Sequence, residues 1–163
     1  MIIEKMVDME NSKTKTVEIL NSLVEVNNDR IQGYETAMLE AKDSQLKVEF
    51  SLFIVTSKRC VMELCDEIKR LGGNPIGTNK TSGKFFKLWM DLEKTISENL
   101  NRALLDSCVF REDIAIGNYD DWLIDDVKNI VDERHNMMIL TQRTELYRER
   151  EKLKALRELI CSS

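Results

Sequence analysis

Four long amphipathic segments of this sequence each carry polar residues on the face that the apolar pattern predicts to be buried. Counted from the predicted turns, these residues fall at similar heights along a helical bundle. Four helices that contribute polar groups at one height are typical of carboxylate di-metal sites, which take one Glu from each of two helices and Glu-x-x-His from the other two. The residues concerned are Asn27, Ser57 with Cys60, Glu112, and Asp132 with His135.

The ligand set for two metal ions is incomplete, because Asn27 and Ser57 replace carboxylates and Cys60 stands where the second histidine would be. One helix face still carries Asp132-x-x-His135, which together with Glu112 could hold a single ion through two carboxylates and one imidazole. One hypothesis is therefore a degenerate mono- or di-metal site for Fe, Mn or Zn. Its ligands would be drawn from Glu112, Asp132, His135 and Cys60.

The favoured interpretation is a buried hydrogen-bonded network with no cofactor, which fixes helix pairing at some cost in stability. A buried carboxylate needs a partner, and an arginine supplies one without a metal ion. Arg30 lies one turn beyond Asn27 and could neutralise Glu112 or Asp113 across the bundle. Nucleophilic catalysis by Cys60 would need the single histidine as its base. The spacing of the two residues in the sequence does not establish that they are in contact.

The elements that must position these residues are helices. Apolar residues recur at alternating steps of three and four over about 13–42 and again over 44–71, as they do on the buried face of a helix. Asp43 can cap the second helix at its start. The run Leu71-Gly72-Gly73-Asn74-Pro75 can end it, because glycine adopts the left-handed cap and proline cannot continue a helix.

The second half of the chain repeats this pattern after a long connection. Residues 74–84 are expected to form a loop and 85–96 a short amphipathic helix, which together suggest a crossover rather than a hairpin. A third long helix carries Glu112 and ends near Trp122. The last helix is expected to begin with acidic residues at 125 and 126, which are stabilising near the positive N-terminal end of a helix dipole. It is expected to run to about Leu156.

The composition favours a single all-α domain. The 163 residues are 42% hydrophobic and 33% charged, and one proline with six glycines is too few turn-forming residues for an all-β sandwich or barrel. We expect a bundle over 13–157, a flexible N-terminal extension over 1–12 and a C-terminal tail over 158–163. Met9 is an alternative start to Met1.

Charge and cysteine usage narrow the classes of partner and location. The net charge of −5 argues against a sequence-independent grip on nucleic acid or on an anionic membrane. No apolar run approaches the roughly 20 residues of a membrane span, and no signal peptide is visible. Four cysteines without CxxC spacing are typical of reduced thiols, so we expect a cytoplasmic protein.

Four segments, in order and at compatible spacing, form a pattern that is specific as a set. They are Asn27-Asn28-Asp29-Arg30-x-x-Gly33-Tyr34, Leu71-Gly72-Gly73-x-Pro75, Ser82-Gly83 with Trp89-Met90-Asp91-Leu92, and Leu105-x-x-Cys108-x-x-x-Glu112-Asp113 followed by Tyr119. Over about 13–157 the chain thus resembles an uncharacterised bacterial family of four-helix bundles, a domain of unknown function in the ferritin-like superfamily. The resemblance implies two antiparallel helix pairs joined by a crossover that carries a short helix around Trp89.

Ferritin-like relatives that are enzymes oxidise iron or reduce peroxide at their di-metal layer. The departures at Asn27, Ser57 and Cys60 argue against that activity here. Two further positions depart from the family pattern, since Arg111 stands where a glycine is expected and Gln142 where a histidine is expected. The resemblance implies a recurrent polar signature, which we interpret, with Ser57, as a buried hydrogen-bond network. The signature residues are Asn27, Asp29, Arg30, Tyr34, Glu112, Asp113 and Tyr119.

Two functions of different classes are consistent with these observations. The leading hypothesis is a non-enzymatic cytoplasmic bundle that acts through an unknown protein partner or through self-association as a homodimer. The surfaces expected to pair are the last turns of the final helix, with Leu153, Leu156 and Ile160, and the apolar face of 85–96. The alternative is a metal-binding ferritin-like protein of oxidase or peroxidase type.

Overall fold

The computed structural model describes residues 2–77, 100–124 and 133–161, and these form four α-helices and no strand. The predicted all-α class is therefore confirmed for this part of the chain. The short helix expected over 85–96 and the expected start of the last helix lie outside the described residues. The helices are α1 (Ile2–Glu40), α2 (Ser44–Arg70), α3 (Leu100–Asp121) and α4 (Glu133–Cys161).

Helix α1 begins at Ile2, whereas the sequence pattern predicted a start near Lys13. Every side chain from Ile2 to Lys15 is exposed, and Thr16 is the first that is buried. Once a helix has formed, each added residue gains a hydrogen bond at little further cost, and Glu, Lys and Met have high helix propensity. The predicted extension over 1–12 is therefore helical from Ile2 onwards, outside the core.

The connection between α1 and α2 has the predicted cap. The Asp43 carboxylate accepts hydrogen bonds from the backbone N–H groups of Gln45 at 2.8 Å and Leu46 at 3.3 Å. These contacts satisfy backbone donors that have no partner within the first turn of a helix. Helix α2 therefore starts where the sequence predicted.

Helix α2 ends at the predicted glycine pair. Gly72 has a positive φ of 80°, and its N–H bonds the carbonyl of Lys69, while the N–H of Gly73 bonds the carbonyl of Ile68. This pattern of bonds is the Schellman motif, which satisfies the last carbonyls of a helix. Gly73 also lies so close to α1 that a Cβ there would be 2.7 Å from the side chain of Val17.

The apolar core has two parts, each built from all four helices. The first part lies near the α1–α2 connection, where the ring of Tyr34 is 5.5 Å from that of Phe50 and 5.3 Å from that of Phe53. The second part includes Leu20, Leu64, Ala115 and Ile139. Helix α1 packs mainly on α2, and α3 packs mainly on α4.

Helix α4 continues to Cys161, beyond the predicted end near Leu156. Its last turns pack inward, because Leu153 and Leu156 are buried and Ile160 packs against the first part of the core. The expectation that these turns project for pairing is therefore wrong. None of the described helices is both long enough and apolar enough to cross a membrane.

Candidate functional site

Arg30 is the centre of a buried polar cluster to which each of the four described helices contributes. Its Nε lies 3.1 and 3.2 Å from the two oxygens of Glu112, and its Nη2 lies 2.8 Å from Oε1 of Glu112 and 2.8 Å from Oε1 of Glu149. Its Nη1 donates to Oγ of Ser57, and the hydroxyl of Tyr34 donates to Oε1 of Glu112. We call these five residues the Arg30 cluster.

The charges of the Arg30 cluster are removed from water. The side chains of Arg30 and Glu112 are wholly buried, and that of Glu149 is 13% exposed. Burial alone would lower the pKa of Arg30, but Glu112, Tyr34 and Glu149 together raise it well above its usual value. Burial raises the pKa of Glu149, which Arg30 only partly offsets. One permanent positive charge is thus shared between two carboxylates.

A second cluster, the Tyr119 cluster, consists of Asn27, Glu63, Tyr119 and Gln142. The amide of Asn27 donates to the hydroxyl of Tyr119 at 2.8 Å, and that hydroxyl donates to Oε1 of Gln142 at 2.7 Å. The Gln142 amide in turn donates to Glu63 at 3.1 Å. This relay of hydrogen bonds joins all four described helices, and it uses largely neutral groups. Burial raises the pKa of Tyr119 well above its usual value, so the hydroxyl stays protonated.

His135 pairs with Glu67, at a distance of 2.7 Å between Nε2 and Oε1. Glu67 is only 4% exposed and also accepts a hydrogen bond from Arg70. That bond lowers the pKa of Glu67 to about 2, and the contact with His135 adds to the effect against an opposing contribution from burial. Glu67 therefore stays ionised under most conditions.

The structure does not bring Glu112 and His135 to one height, which the sequence had predicted. Glu112 contacts Glu149 through Arg30, and His135 precedes Glu149 by fourteen residues on α4, a rise of about 21 Å. The prediction assumed that the chain reverses at Leu123. The ion pairs Asp113–Arg150 and Asp120–Arg143 are instead centred about eight residues later, so α4 residues face other partners than expected.

The remaining candidate ligands are also apart or outside the described residues. Cys60 lies seven residues from Glu67, the partner of His135, and burial raises the pKa of its thiol to about 12. Asp132 lies outside the described residues. Within the parts of the chain that the structure describes, no three His, Cys, Asp or Glu residues are grouped so that they could hold a metal ion.

A family model described as a domain of unknown function, DUF2383, matches residues 15–125, which is more than half of the chain. The chain belongs to the DUF2383 family. No curated protein matches it. The match includes every residue of the Arg30 and Tyr119 clusters that lies on α1, α2 or α3. In this DUF2383 chain, Glu149 and Gln142 lie on α4 beyond the matched range, so each cluster is completed from outside it.

Two residues of the predicted network take other places. Asp113 is exposed and pairs with Arg150 across the surface, so of the two carboxylates predicted for Arg30 only Glu112 faces it. Asp29 is buried, and its charge acts on Arg111, whose pKa is lowered by burial and only partly restored by Cys108 and Asp29. Asp113 stands next to Glu112 in sequence, but neighbours on a helix point about 100° apart.

Sequence reasoning missed Glu149, which is absent from the candidate site residues given above. A signal was present, because the buried stripe of α4 through His135 and Gln142 advances by seven residues and its next step is Glu149. The same step on α2 leads from Cys60 to Glu67, the partner of His135. The dense charges around Glu149 hid a position that the periodicity marks as inward.

Proposed function

We propose that this DUF2383 chain is a non-enzymatic, cytoplasmic protein of ferritin-like architecture that acts through contacts with another protein or with a second copy of itself. The observation that carries the proposal is the Arg30 cluster, a layer with polar groups from all four helices. In carboxylate bundles with chemistry such a layer holds two cations. In this chain, its cation is a guanidinium that belongs to the protein.

The order of the contacts supports the ferritin-like part of the proposal. On α1, Arg30 and Tyr34 contact Ser57 and Phe50 of α2, so the partner number falls as the α1 number rises. The same inverse order holds between α3 and α4, where Asp106 and Asp120 pair with Arg157 and Arg143. Inverse order is what antiparallel neighbours produce, and two such helix pairs joined by a crossover form the ferritin-like arrangement.

The state of the nucleophilic and acidic groups supports a role without catalysis. Both oxygens of Glu112 bond Arg30 and the side chain is wholly buried, so the charge of this carboxylate is already neutralised within the protein. A thiol with a pKa near 12, such as that of Cys60, is protonated at neutral pH and is a poor nucleophile. The cytoplasmic location is supported by Cys60, Cys65 and Cys108, which are all free thiols.

Metal content and stability of the untagged protein test this proposal. Samples of the wild type, Glu112→Ala and Asp113→Ala are incubated with iron(II), manganese(II) or zinc(II), desalted, and measured by mass spectrometry and thermal melting. We expect no stoichiometric metal in any sample, and a lower melting temperature for Glu112→Ala whether or not metal was added. Asp113→Ala is the matched control, because it removes a neighbouring carboxylate that is exposed.

One result would overturn the proposal in favour of the metalloprotein hypothesis. It is one or more equivalents of metal retained by the wild type and by Asp113→Ala but lost by Glu112→Ala. Peroxide and oxygen consumption assays with the loaded protein would then follow, together with an Asp132→Ala variant.

A further inference from the structure

The Arg30 cluster contains one more negative charge than positive charge. Arg30 supplies one positive charge, whereas Glu112 and Glu149 supply one negative charge each. The phenol of Tyr34 is neutral, because burial raises its pKa well above the usual value. Nη2 of Arg30 lies 2.8 Å from Oε1 of each carboxylate, so these two oxygens are separated by at most twice that distance. When two carboxylates share one site, the charge of each opposes the ionisation of the other.

We propose that the Arg30 cluster is a proton-binding site, in which the carboxyl group of Glu149 takes up one proton in mildly acidic solution. The proton removes the excess negative charge and leaves Arg30 paired with the ionised carboxylate of Glu112. The four described helices are therefore held together more tightly in mild acid than in alkaline solution. This inference goes beyond the proposed function, because it does not depend on a partner protein or on a second copy of the chain.

The hydrogen bonds of the cluster select Glu149 rather than Glu112 as the group that takes the proton. Glu112 accepts from Nε of Arg30 at both of its oxygens, and its Oε1 also accepts from Nη2 of Arg30 and from the hydroxyl of Tyr34. Glu149 accepts from Arg30 through Nη2 alone. Because each such bond favours the charged form of a carboxylate, Glu112 is the one that stays ionised.

Solvent access selects the same residue. The side chain of Glu112 is wholly buried, whereas that of Glu149 is 13% exposed. Glu149 therefore lies at the edge of the cluster, where it can exchange a proton with water while the helices stay packed. It is still buried enough that water does not screen its charge from that of Glu112.

Among the described residues, each of the other three helices presents a group to Glu149. These groups are Arg30 on α1, Thr56 on α2 and Glu112 on α3. Burial raises the pKa of Glu149 most, and the charge of Glu112 raises it further. The charge of Arg30 and the hydrogen bonds with Arg30 and Thr56 lower it without cancelling that rise, so the pKa lies above the usual value of 4.5.

Charged neighbours of Glu149 one turn away on α4 are already paired with α2. Glu145 forms an ion pair with Arg59, and Lys152 forms one with Glu49 at 2.7 Å. The positive charge of Lys152 is thus compensated by Glu49, and it does not cancel the excess negative charge of the cluster.

A proton on Glu149 makes the stability of the fold depend on pH. In the unfolded chain Glu149 loses its proton near pH 4.5, whereas in the folded protein it keeps the proton to a higher pH. Between these two values the folded state binds more protons than the unfolded state, so stability falls as the pH rises. Below pH 4.5 both states are protonated, and the excess charge has no cost. For one proton, the folding equilibrium constant falls by at most about tenfold per pH unit.

Urea unfolding at a series of pH values above 4.5 tests the site in the wild type, Glu149→Gln and Glu151→Gln. Glutamine has the shape of a protonated glutamic acid but does not titrate. The folding constant of the wild type, divided by that of Glu149→Gln, is expected to fall by up to about tenfold per pH unit and then to level off. Glu151→Gln is the matched control, because the side chain of Glu151 is 45% exposed on the same helix, and the corresponding ratio is expected to stay constant. A constant or rising ratio for Glu149→Gln overturns the inference.

NMR of the carboxyl carbons in the folded wild type locates the proton without relying on a variant that folds. The resonance of Glu149, assigned through its own side-chain carbons, is expected to titrate with a midpoint above pH 4.5. A midpoint at or below pH 4.5 overturns the inference. A titration above pH 4.5 by the resonance of Glu112 instead of Glu149 overturns it as well, because the proton then lies on the other carboxylate.

Discussion

Arginine–carboxylate pairs occur in two settings in this protein. The pair of Arg30 and Glu112 is wholly buried, where the two side chains have no contact with water. Along the outside of α3 and α4, three more such pairs repeat every seven residues, and their side chains are between 19% and 51% exposed. These outer pairs, which we call the surface ladder, are Asp106–Arg157, Asp113–Arg150 and Asp120–Arg143.

The same chemistry therefore has two different consequences. On the surface, water and salt replace a lost partner, so each pair of the ladder contributes little to stability. In the core, a charge that loses its partner stays without solvent, and this is costly even where the intact pair adds little. We therefore expect the buried cluster to act mainly against wrong arrangements of the helices, whereas the ladder supports an arrangement that is already reached.

The largest expected effect comes from removing the buried cation. Arg30→Met should lower the free energy of unfolding by about 3–5 kcal/mol, because it leaves the carboxylates of Glu112 and Glu149 without their cation. Chemical denaturation measures this loss. The double variant Arg30→Met with Glu112→Gln should recover part of it, since one of the two charges is then gone. A loss below about 1 kcal/mol for Arg30→Met would contradict the comparison.

Glu67 lies between the two settings, since it is nearly buried but also contacts Arg70, which is exposed. Its pKa falls from 4.5 to about 2 on folding, so its contribution is complete above pH 4.5 and is lost as the pH falls towards 2. We expect the wild type to lose about 2 kcal/mol more than Glu67→Gln over that range. Urea unfolding at a series of pH values measures the difference, and parallel curves for the two proteins would refute it.

The Tyr119 cluster should respond less strongly, because the group that is removed is neutral. Tyr119→Phe takes away a hydroxyl that accepts from Asn27 and donates to Gln142. A buried polar group left without its partner costs about 1–3 kcal/mol, and we expect a value near the lower end. Tyr147→Phe is the control, since that ring is 43% exposed. Equal stability of the two variants would show that the relay adds nothing.

The smallest effect is expected on the surface ladder. Asp113→Asn breaks the ion pair with Arg150, and it should change the free energy of unfolding by less than about 0.5 kcal/mol at physiological salt. The change should shrink further as salt is added, because added ions screen exposed charges. A salt-independent loss of more than about 1 kcal/mol would mean that the ladder resembles the core.

Features that depend on neighbouring residues were predictable from sequence. The start of α2 at Asp43 and its end at Gly72 and Gly73 follow from signals within one turn of the helix, and both are confirmed. The predicted start of α1 was wrong, because residues 2–12 lack a buried stripe and only their helix propensity extends the helix to Ile2. The inward positions of Asn27, Ser57 and Glu112 were also predictable, since the period of a helix assigns each residue to a face.

A contact between two helices was predictable only where a buried charged group needs a partner. The pairing of Arg30 with Glu112 could be expected, because a wholly buried carboxylate needs a cation or a donor. The pairing of His135 with Glu67 could not, because it depended on where the chain reverses between α3 and α4. An error of two helical turns in the position of that reversal leaves every residue of α4 on its correct face. It nevertheless changes the residues of the other helices that each of them contacts.

The amino-acid sequence by itself determined an all-α protein, the capped ends of α2 and the polar residues that point inward. Each of these follows from interactions within a few residues along the chain. Only the tertiary structure decided that Glu112 rather than Asp113 faces Arg30, that Glu149 completes the layer and that His135 belongs to Glu67. Helical periodicity specifies direction around an axis, whereas position along the axis depends on packing and charge between distant segments.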